Sequence, residues 1–380
     1  MKILTVIDSF KGSMTSLEAG CAAAEGIHRA DPAAEVEIRA LADGGEGTVE
    51  ALISNMNGKI REVQVTGPLG DPVTCEYGVI EKTRTAVIEM AGAAGLVLVP
   101  EDRRDPLYTT TYGVGEVIRD AIEQGCRRFI VGIGGSATND GGAGMLQALG
   151  YGLLDEKGEQ IPYGAAGLKD LKKISEESVI PELAECRFRV ACDVTNPLCG
   201  DQGCSAVFGP QKGATPVMIT QMDRWLRHYA KMAEDKYPAA DAECAGAGAA
   251  GGLGFAFLTF LDAALESGID IVLEETHMDD SIKKADLIIT GEGRMDGQTA
   301  MGKAPVGVAR LAKKYGKTVI ALAGSVTRDA RACNEAGITA YFPIVRSAVT
   351  LEEAMKKENA KENMADTAEQ VYRLFSLTEK

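Results

Sequence analysis

Apolar and polar positions alternate along the chain in two patterns, one typical of buried strands and one typical of amphipathic helices. In the first part of the sequence the two patterns take turns, which predicts the order strand, helix, strand, helix. The predicted elements are a strand at Ile3–Ile7, a helix that begins after the capping pair Thr15 and Glu18 and runs to about His28, a strand at Val36–Leu41 and a helix at Val49–Met56. This order is typical of a parallel sheet covered by helices.

The pattern changes near Val63, where short strands follow one another with only turn residues between them. Strands are predicted at Ile60–Thr66, Val73–Ile80 and Thr85–Met90, and their short connections favour antiparallel pairing. Beyond them the pattern predicts a helix around Val114–Ile122, strands at Arg128–Ile133, Tyr151–Leu154 and Arg187–Ala191, and helices at Pro216–Glu234 and Phe255–Leu265. The middle of the chain is therefore predicted to be mixed α/β.

Strict alternation of strands and helices returns after Ala285. The predicted elements are strands at Asp286–Thr290, Thr318–Ala323 and Ala340–Pro343, helices at Pro305–Tyr315 and Arg328–Glu335, and a last helix capped by Thr350 and Glu353. Because both outer parts of the sequence show the parallel-sheet pattern, we predict a Rossmann- or flavodoxin-like α/β domain formed by residues 1–65 plus 283–380. A second, mixed α/β domain is inserted at residues 66–282, and we expect the active site in the cleft between the two domains.

A glycine-rich stretch, GIGGSATNDGGAG at residues 132–144, follows the predicted strand at Arg128–Ile133. Backbone without side chains can approach a phosphate closely, so the stretch predicts a phosphate-binding loop that includes Gly134 and Gly135. Its start also fits the dinucleotide pattern G-x-G-x-x-[GA], and Asp155 lies near the position of a ribose-binding acid. One alternative is therefore a nicotinamide-dependent oxidoreductase, another is a non-catalytic protein that binds a phosphorylated ligand, and a third is a tight packing turn.

Polar side chains within this loop favour a hydroxylated substrate or a metal-bound phosphate over a plain pyrophosphate. They are Ser136, Thr138, Asn139 and Asp140. A second glycine stretch at residues 246–254 precedes the helix predicted at Phe255–Leu265. Its glycines Gly251, Gly252 and Gly254 fit either an anion site at a helix start or a close contact between packed helices.

Charged and polar side chains follow several predicted strands at their carboxyl ends, where ligands bind in open α/β sheets. They are Lys11 after the first strand, Asp43 and Glu46 after the second, Asp193 and Asn196 after Arg187–Ala191, and Glu292, Arg294 and Asp296 after Asp286–Thr290. Lys303 then opens the next predicted helix. Cations that neutralise developing charge and carboxylates that hold Mg²⁺ are what phosphoryl transfer requires. By contrast, Lys212 falls in a Gly-Pro turn that is predicted to be a surface loop.

Composition refines this picture mainly by exclusion. A net charge of −15, from 55 acidic and 40 basic residues, argues against a nucleic-acid partner, because phosphate backbones require clustered Lys and Arg. The longest uncharged stretch, residues 245–261, is shorter than a membrane helix and rich in glycine, so no membrane association is expected. Nine cysteines without a C-x-x-C pair, three dispersed histidines and no export signal predict a cytoplasmic protein with reduced thiols.

Taken in order, the motifs along the chain resemble those of the bacterial glycerate kinases. They are DSFKGS, ADGGEGT, GIGGSATNDGGAG, CDVTNP, FGPQKG, GAGAAGGLG and TGEGRMDGQT followed by GK, and they cover essentially the whole sequence. The resemblance implies a Rossmann-like domain with a second α/β domain. It also implies phosphorylation of D-glycerate with ATP and Mg²⁺, giving 2-phosphoglycerate and ADP, so glycerate and ATP are the expected small-molecule substrates, and the oligomeric state stays open.

The positions of these residues and the resemblance together give the following predicted roles. Asp193, Lys11 and Arg294 are predicted to be catalytic; Asp43, Glu46, Ser136, Asn139, Asp140 and Asn196 to bind the substrate; Gly134, Gly135, Gly251, Gly252, Gly254 and Lys303 to bind the ATP phosphates; and Glu292 and Asp296 to bind Mg²⁺. Three roles stay open for Asp193. It can accept the proton of the attacking hydroxyl, help to hold Mg²⁺, or only cap its own turn.

Overall fold

The computed structural model describes residues 1–377. Within this range the chain forms two compact units. The first contains residues 1–43, residues 50–56 and the chain from residue 269 onward, and the second contains residues 44–49 and 57–268.

The secondary structure follows the predicted order closely. The strands are β1 (Lys2–Ile7), β2 (Glu35–Ala40), β3 (Lys59–Thr66), β4 (Pro72–Ile80), β5 (Thr85–Glu89), β6 (Arg128–Gly132), β7 (Gly152–Leu154), β8 (Lys173–Ser175), β9 (Arg187–Ala191), β10 (Ala264–Glu266), β11 (Leu287–Met295), β12 (Thr318–Val326) and β13 (Ala340–Pro343). The helices are α1 (Ser16–Ala30), α2 (Thr48–Met56), α3 (Ala91–Ala94), α4 (Tyr112–Glu123), α5 (Ala143–Ala148), α6 (Cys204–Phe208), α7 (Pro216–Glu234), α8 (Ala249–Phe260), α9 (Gly268–Glu275), α10 (Met278–Lys284), α11 (Ala304–Lys313), α12 (Ala332–Glu335), α13 (Leu351–Met355) and α14 (Lys357–Phe375).

The first unit is built on a parallel sheet with the strand order β13-β12-β11-β1-β2. In the centre of the sheet Ile3 lies opposite Leu287 on one side and Val36 on the other. Almost every residue of β1 is buried, as expected for a strand covered on both faces by helices. The predicted flavodoxin-like parallel sheet is confirmed.

Strand order reverses beside β1, because β2 lies on one side of it and β11, β12 and β13 continue on the other. At such a reversal the connections leave the sheet in opposite directions, and a crevice opens at the carboxyl ends of the two neighbouring strands. The backbone N–H of Asp8 donates to the carbonyl of Gly291 at 2.9 Å, so β1 and β11 stay paired up to their ends. The residues that follow β1 therefore lie beside those of late β11.

Helices α1 and α14 pack on one face of this sheet and close an apolar core. The core includes Ala23 and Ile27 of α1, Met364 and Ala368 of α14, and Ile289 of β11. The two helices approach so closely that a Cβ atom added to Gly26 would lie 1.9 Å from the carbonyl oxygen of Ala365. Gly26 therefore sets the distance between α1 and α14.

The second unit is built on a mixed sheet with the strand order β10-β9-β6-β5-β4-β3. β3, β4 and β5 pair antiparallel, as predicted, whereas β5, β6, β9 and β10 are parallel. β7 and β8 form a separate antiparallel pair. The predicted mixed α/β architecture of the middle of the chain is confirmed.

Two predicted element bounds are wrong. The residues after Thr290 as far as Met295, expected to form a loop, continue β11 and pair with β12 as far as Val326. The helix predicted at Phe255–Leu265 ends at Phe260, because Asp262 has a φ of +48° and turns the chain into β10. In both cases the deciding contact is a neighbouring strand that is distant in sequence.

The C-terminal helix predicted after Thr350 is divided in two. Thr350 does cap its start, since its hydroxyl accepts from the N–H of Glu353 at 3.2 Å. However, Lys356 has extended backbone angles that separate α13 from α14. The predicted helix at Arg328–Glu335 likewise consists of a 3₁₀ turn followed by the short α12.

The bounds of the two units differ from the predicted 1–65 plus 283–380 and 66–282. β3 belongs to the second unit because it pairs along its whole length with β4. Residues 269–282, which contain α9 and the start of α10, belong to the first unit. No helix within residues 1–377 is long and apolar enough to cross a membrane.

Replacing Gly26 with Ala should destabilise the protein, although alanine is the better helix former. The new methyl group would meet the Ala365 carbonyl at a distance no real contact allows, so α1 and α14 must separate. We expect the free energy of unfolding to fall by roughly 2–4 kcal/mol. Cys21→Ala on the exposed side of α1 is the matched control and should change it by less than about 0.5 kcal/mol. Denaturant unfolding of both variants measures this, and equal stabilities would contradict it.

Candidate active site

The ends of β1 and β11 line a cleft of about 660 Å³ that lies wholly within the first unit. Its charged lining residues come from different parts of the chain: Asp8 and Lys11 after β1, Asp43 after β2, Glu292 and Arg294 in late β11, and Lys303 at the start of α11. All of these except Asp8 were predicted site residues. The structure therefore brings together acids and cations that the sequence separates by almost 300 positions.

Two of the acids are buried in the wall of this cleft. Asp8 is only 5% exposed, and burial, together with the nearby Asp43 carboxylate, raises its pKa to about 8. Its Oδ1 atom accepts a hydrogen bond from the Ser9 backbone at 2.7 Å. Burial also raises the pKa of Glu292, whose Oε1 atom accepts from the Thr299 hydroxyl at 2.5 Å. A positive group that entered the cleft would relieve the repulsion among these carboxylates.

The cations lie on the same cleft. Lys303 is the N-cap residue of α11, so its side chain and the positive end of the helix lie together. Lys11 and Arg294 are exposed, and the Arg294 guanidinium lies 3.5 Å from the carboxylate of Asp296. Cations beside a helix N-terminus form a site suited to phosphate groups.

Asp296 has a different position from the one predicted. It is absent from the lining of the cleft, and its Oδ1 atom accepts from the backbone N–H of Gln298 at 2.9 Å. The carboxylate therefore caps the turn that leads to Thr299. Of the two predicted Mg²⁺ ligands, the structure places only Glu292 on the cleft.

In the second unit the predicted glycine loop follows β6. Gly134 and Gly135 form its exposed tip, and Gly135 has a φ of +74°, which favours glycine. Lys212 lies beneath this tip, 2% exposed, with its Nζ atom 2.7 Å from the Ser136 hydroxyl and 2.6 Å from the carbonyl of Thr138. Burial lowers the pKa of Lys212 to about 8. The prediction that Lys212 lies in a surface loop is therefore wrong.

Other polar side chains of this loop divide into two groups. Asp140 is fully buried and holds the loop, because its carboxylate accepts from Thr111 and from the N–H groups of Gly142 and Gly144. Among the described residues, the Thr138 hydroxyl and the Asn139 side-chain oxygen are buried without a hydrogen-bond partner. Asp140 thus stabilises the loop, whereas Thr138 and Asn139 keep unused acceptors.

The second glycine stretch has a packing role in the structure. A Cβ atom at Gly251 would lie 2.0 Å from the Thr138 carbonyl, and one at Gly254 would lie 2.2 Å from the Gly246 carbonyl. Gly252 packs against the backbone of Gly141 in the same way. These three of the five glycines predicted to bind phosphates are buried, so the alternative of close packing accounts for them.

Asp193 and Asn196 follow β9 on the surface of the second unit. Asp193 is exposed, and its Oδ1 atom accepts from the backbone N–H of Gly268 at 3.1 Å. The side-chain amide of Asn196 donates to the carbonyl of Gln202 at 2.8 Å. Glu46 also belongs to this unit and is exposed, whereas Asp43 belongs to the first.

The structure around Asp155 does not have the geometry of a dinucleotide site. The Asp155 side chain accepts from the backbone of Lys157 at 2.8 Å and of Glu159 at 3.0 Å, so it caps its own turn. β7, which precedes it, pairs with β8 and not with β6. A ribose-binding acid requires a strand next to the one that carries the glycine loop.

Comparison with known proteins agrees with this geometry. A sequence profile of the glycerate kinase family matches residues 3–376. The chain belongs to the glycerate kinase family. It is 51% identical over 371 residues to a glycerate kinase of Bacillus subtilis, with 98% of this chain and 97% of the relative covered. It is 48% identical over 356 residues to a glycerate 2-kinase of Escherichia coli K12, with 94% and 93% covered.

A crystal structure described as a glycerate kinase 2 from Salmonella typhimurium LT2 has the same fold. It matches with a TM-score of 0.91 and 47% identity, and covers 100% of this chain and 99% of that chain. The predicted resemblance to the glycerate kinases is thus confirmed, as is the predicted fold class.

Two residues within the family motifs, Asp8 and Lys212, are missing from the predicted site residues, although the structure places both at functional features. Asp8 begins DSFKGS and follows β1 as Asp43 follows β2, so its position after a strand already indicates a site residue. Lys212 lies within FGPQKG, and only the packing of that turn against the glycine loop buries it. The role of Asp8 can be predicted from its position after a strand, whereas the burial of Lys212 is seen only in the structure.

Replacing Asp8 with Asn should stabilise the metal-free, nucleotide-free protein at alkaline pH. The pKa of Asp8 is about 8 in the folded state against 3.8 when exposed, so the folded state binds a proton that the unfolded chain releases. The resulting loss of stability grows as the pH rises from about 4 to about 8, and Asn avoids it. We expect a gain of roughly 2 kcal/mol in the free energy of unfolding near pH 8.5, and little gain near pH 4.

The matched control for this prediction is Asp280→Asn, an exposed aspartate on α10 in the same unit. Denaturant unfolding at the two pH values should leave this control close to the unmodified protein. A gain for Asp8→Asn that is equal at both pH values would show that the Asp8 carboxylate is not strained by burial.

Proposed function

We propose that the protein transfers the γ-phosphoryl group of ATP to D-glycerate, giving 2-phosphoglycerate and ADP. The observation that carries the proposal is the cleft at the ends of β1 and β11, where the buried carboxylates Asp8 and Glu292 lie beside the cation Lys303. The descriptions of the relatives as glycerate kinases, one of them a glycerate 2-kinase, support the substrate and the position of transfer.

The donor set of the cleft fits Mg²⁺, which kinases use with ATP. Asp8, Asp43 and Glu292 line one cleft with carboxylate oxygens, the ligands that Mg²⁺ prefers. Residues 1–377 contain no group of three or more His, Cys, Asp or Glu that could hold a metal alone. That agrees with the usual mode, in which one or two carboxylates share Mg²⁺ with phosphates. Bound there, Mg²⁺ would neutralise charge on the transferred phosphoryl group.

We therefore assign Mg²⁺ to Glu292 together with Asp8 or Asp43, in place of the sequence-based pair Glu292 and Asp296. Lys303 and the N-terminus of α11 are proposed to hold the ATP phosphates. The exposed cations Lys11 and Arg294 reach into the same cleft and would neutralise charge that develops in the transition state. Catalysis by these groups would consist mainly of positioning and charge stabilisation.

The glycine loop of the second unit is proposed to contribute contacts to an anionic or hydroxylated group of the substrate. The exposed tip Gly134-Gly135 leaves its backbone accessible, Ser136 follows it directly, and the buried Asn139 lies further along the same loop. Lys212 would act as a positioning residue, because its ammonium group ties Ser136 to the Thr138 carbonyl. That both units serve one active site stays a prediction.

The other two candidate functions lose their support. The oxidoreductase hypothesis rested on the glycine pattern and Asp155, and Asp155 caps its own turn. A non-catalytic binding protein would not require buried carboxylates beside the phosphate-binding cations. The nine cysteines are free thiols, which agrees with a reducing compartment, and we propose that the reaction takes place in the cytoplasm.

The direct test is an assay of the purified protein with ATP, Mg²⁺ and D-glycerate. ADP should form only when glycerate is present. Enolase converts 2-phosphoglycerate directly but not 3-phosphoglycerate, so coupling to enolase without a mutase identifies the product. Turnover without enolase signal would contradict the position of transfer, and no glycerate-dependent ADP formation would contradict the function.

Lys212→Met should weaken catalysis without unfolding the protein. Methionine has a similar length but no charge, so Ser136 and the Thr138 carbonyl lose a shared donor and the loop loses its fixed position. We expect kcat/KM for glycerate to fall roughly 10–100-fold with the melting temperature largely kept, because burial of the ammonium group is itself unfavourable. The control is Lys82→Met, an exposed lysine of the same unit. If kcat/KM of the Lys212→Met enzyme is within about twofold of the control, Lys212 contributes only to packing.

Asp193→Asn separates the three roles proposed for that carboxylate. If Asp193 accepts the proton of the attacking hydroxyl, kcat should fall by roughly 10²–10⁴ with an unchanged Mg²⁺ requirement. If it helps to hold Mg²⁺, the Mg²⁺ requirement should rise as well. We favour the base, because Asp8, Asp43 and Glu292 supply carboxylates for the metal. Near-normal kcat would assign Asp193 a structural role, in which it accepts from the Gly268 N–H.

A further inference from the structure

The cleft of the first unit has a second, apolar wall that the charged groups do not use. It consists of Ile344, Val349, Leu351 and Met355, with Phe10 from the loop after β1, and is called the apolar wall below. Leu351 is 75% exposed, Val349 47% and Met355 36%. Three large apolar side chains exposed within one concave surface indicate a binding site, whereas scattered single ones do not.

The local structure explains why these side chains share one surface. Leu351 and Met355 are four residues apart at the two ends of α13, and residues at that spacing lie on the same face of a helix. The Thr350 cap fixes where the helix begins, so it also fixes which face points to the cleft. The helix therefore supplies Leu351 and Met355, and the chain before it and the loop after β1 supply the other side chains of the apolar wall.

The apolar wall is continuous with the phosphate-binding side of the cleft. Gly12 joins the two, because it follows Lys11, and a Cβ atom added to it would lie 3.1 Å from the Cε atom of Met355. Gly12 has a φ of +75°, which lets the loop approach α13 closely. A single ligand can thus contact Lys11 with one end and Met355 with the other.

We propose that the apolar wall receives the adenine base of ATP. The inference rests on the proposed function and adds the orientation of the nucleotide, with the base against α13 and the phosphates towards Lys303. A nucleoside triphosphate has a flat apolar base at one end and negative charge at the other, and the cleft shows the same polarity. A volume of about 660 Å³ lies within the range of about 300–1,000 Å³ that encloses small ligands. The polarisable Met355 side chain suits an aromatic ring.

Leu351→Ser tests the site, with Leu374→Ser as its matched control. Leu374 is an exposed leucine on α14 of the same unit and does not line the cleft. Calorimetry with Mg²⁺-ATP should give a roughly 5–20-fold higher Kd for Leu351→Ser, from the loss of the apolar contact, and no change for the control. The KM for glycerate should stay within about twofold of the unmodified enzyme, because the substitution lies at the proposed adenine site and not at the glycerate site.

Adenosine, measured as a competitor of ATP, distinguishes the base from the phosphates. Leu351→Ser should weaken the binding of adenosine by the same factor as the binding of ATP. Lys303→Met should weaken the binding of ATP and leave the binding of adenosine unchanged. An unchanged ATP Kd in an active Leu351→Ser enzyme overturns the base site while keeping the kinase function. The same result together with loss of self-association or of protein binding would assign the apolar wall to a protein partner. Absence of glycerate-dependent turnover in the unmodified enzyme would instead contradict the proposed function.

Discussion

The parallel pairing of β1 with β11 is the constraint on which the candidate site depends. The two strands are distant in sequence, yet Ile3 lies opposite Leu287, and the pairing continues to the bond between the Asp8 N–H and the Gly291 carbonyl. Because the connections of the sheet diverge at this point, the carboxyl ends stay uncovered by a crossover helix. Asp8 and Glu292 therefore lie on the same cleft, and the cations of the Lys11 and Lys303 segments join them.

Each unit also buries an ionisable side chain. Asp8 in the first unit and Lys212 in the second lie almost entirely out of solvent, and burial shifts the pKa of each towards the neutral form. Such groups lower stability unless a ligand or a close partner compensates them. Strained charges at a cleft lined by acids and cations and beneath a glycine loop are typical of sites shaped for binding and not for stability.

Glycine has three different functions in this protein, and the sequence pattern is similar for all of them. Gly135 supplies a left-handed conformation at an exposed loop tip. Gly291 allows β11 to approach β12, since a Cβ atom there would lie 1.9 Å from the Leu322 carbonyl. Gly251 allows one loop to pack on another, close to the Thr138 carbonyl. The pattern around Gly291 therefore predicts a loop where the structure has a strand, and the pattern around Gly251 fits an anion site as well as close packing.

The sequence by itself determined the order of strands and helices, the parallel character of the first sheet and the family, because hydrophobic periodicity and local motifs record these directly. It also predicted Asp43, Glu292 and Lys303, which line the cleft, as site residues. Only the tertiary structure decided that Lys212 is buried and that Leu351 faces the cleft. The physical reason is that burial and direction depend on which distant segments pack against a residue, and local spacing carries no information about that contact.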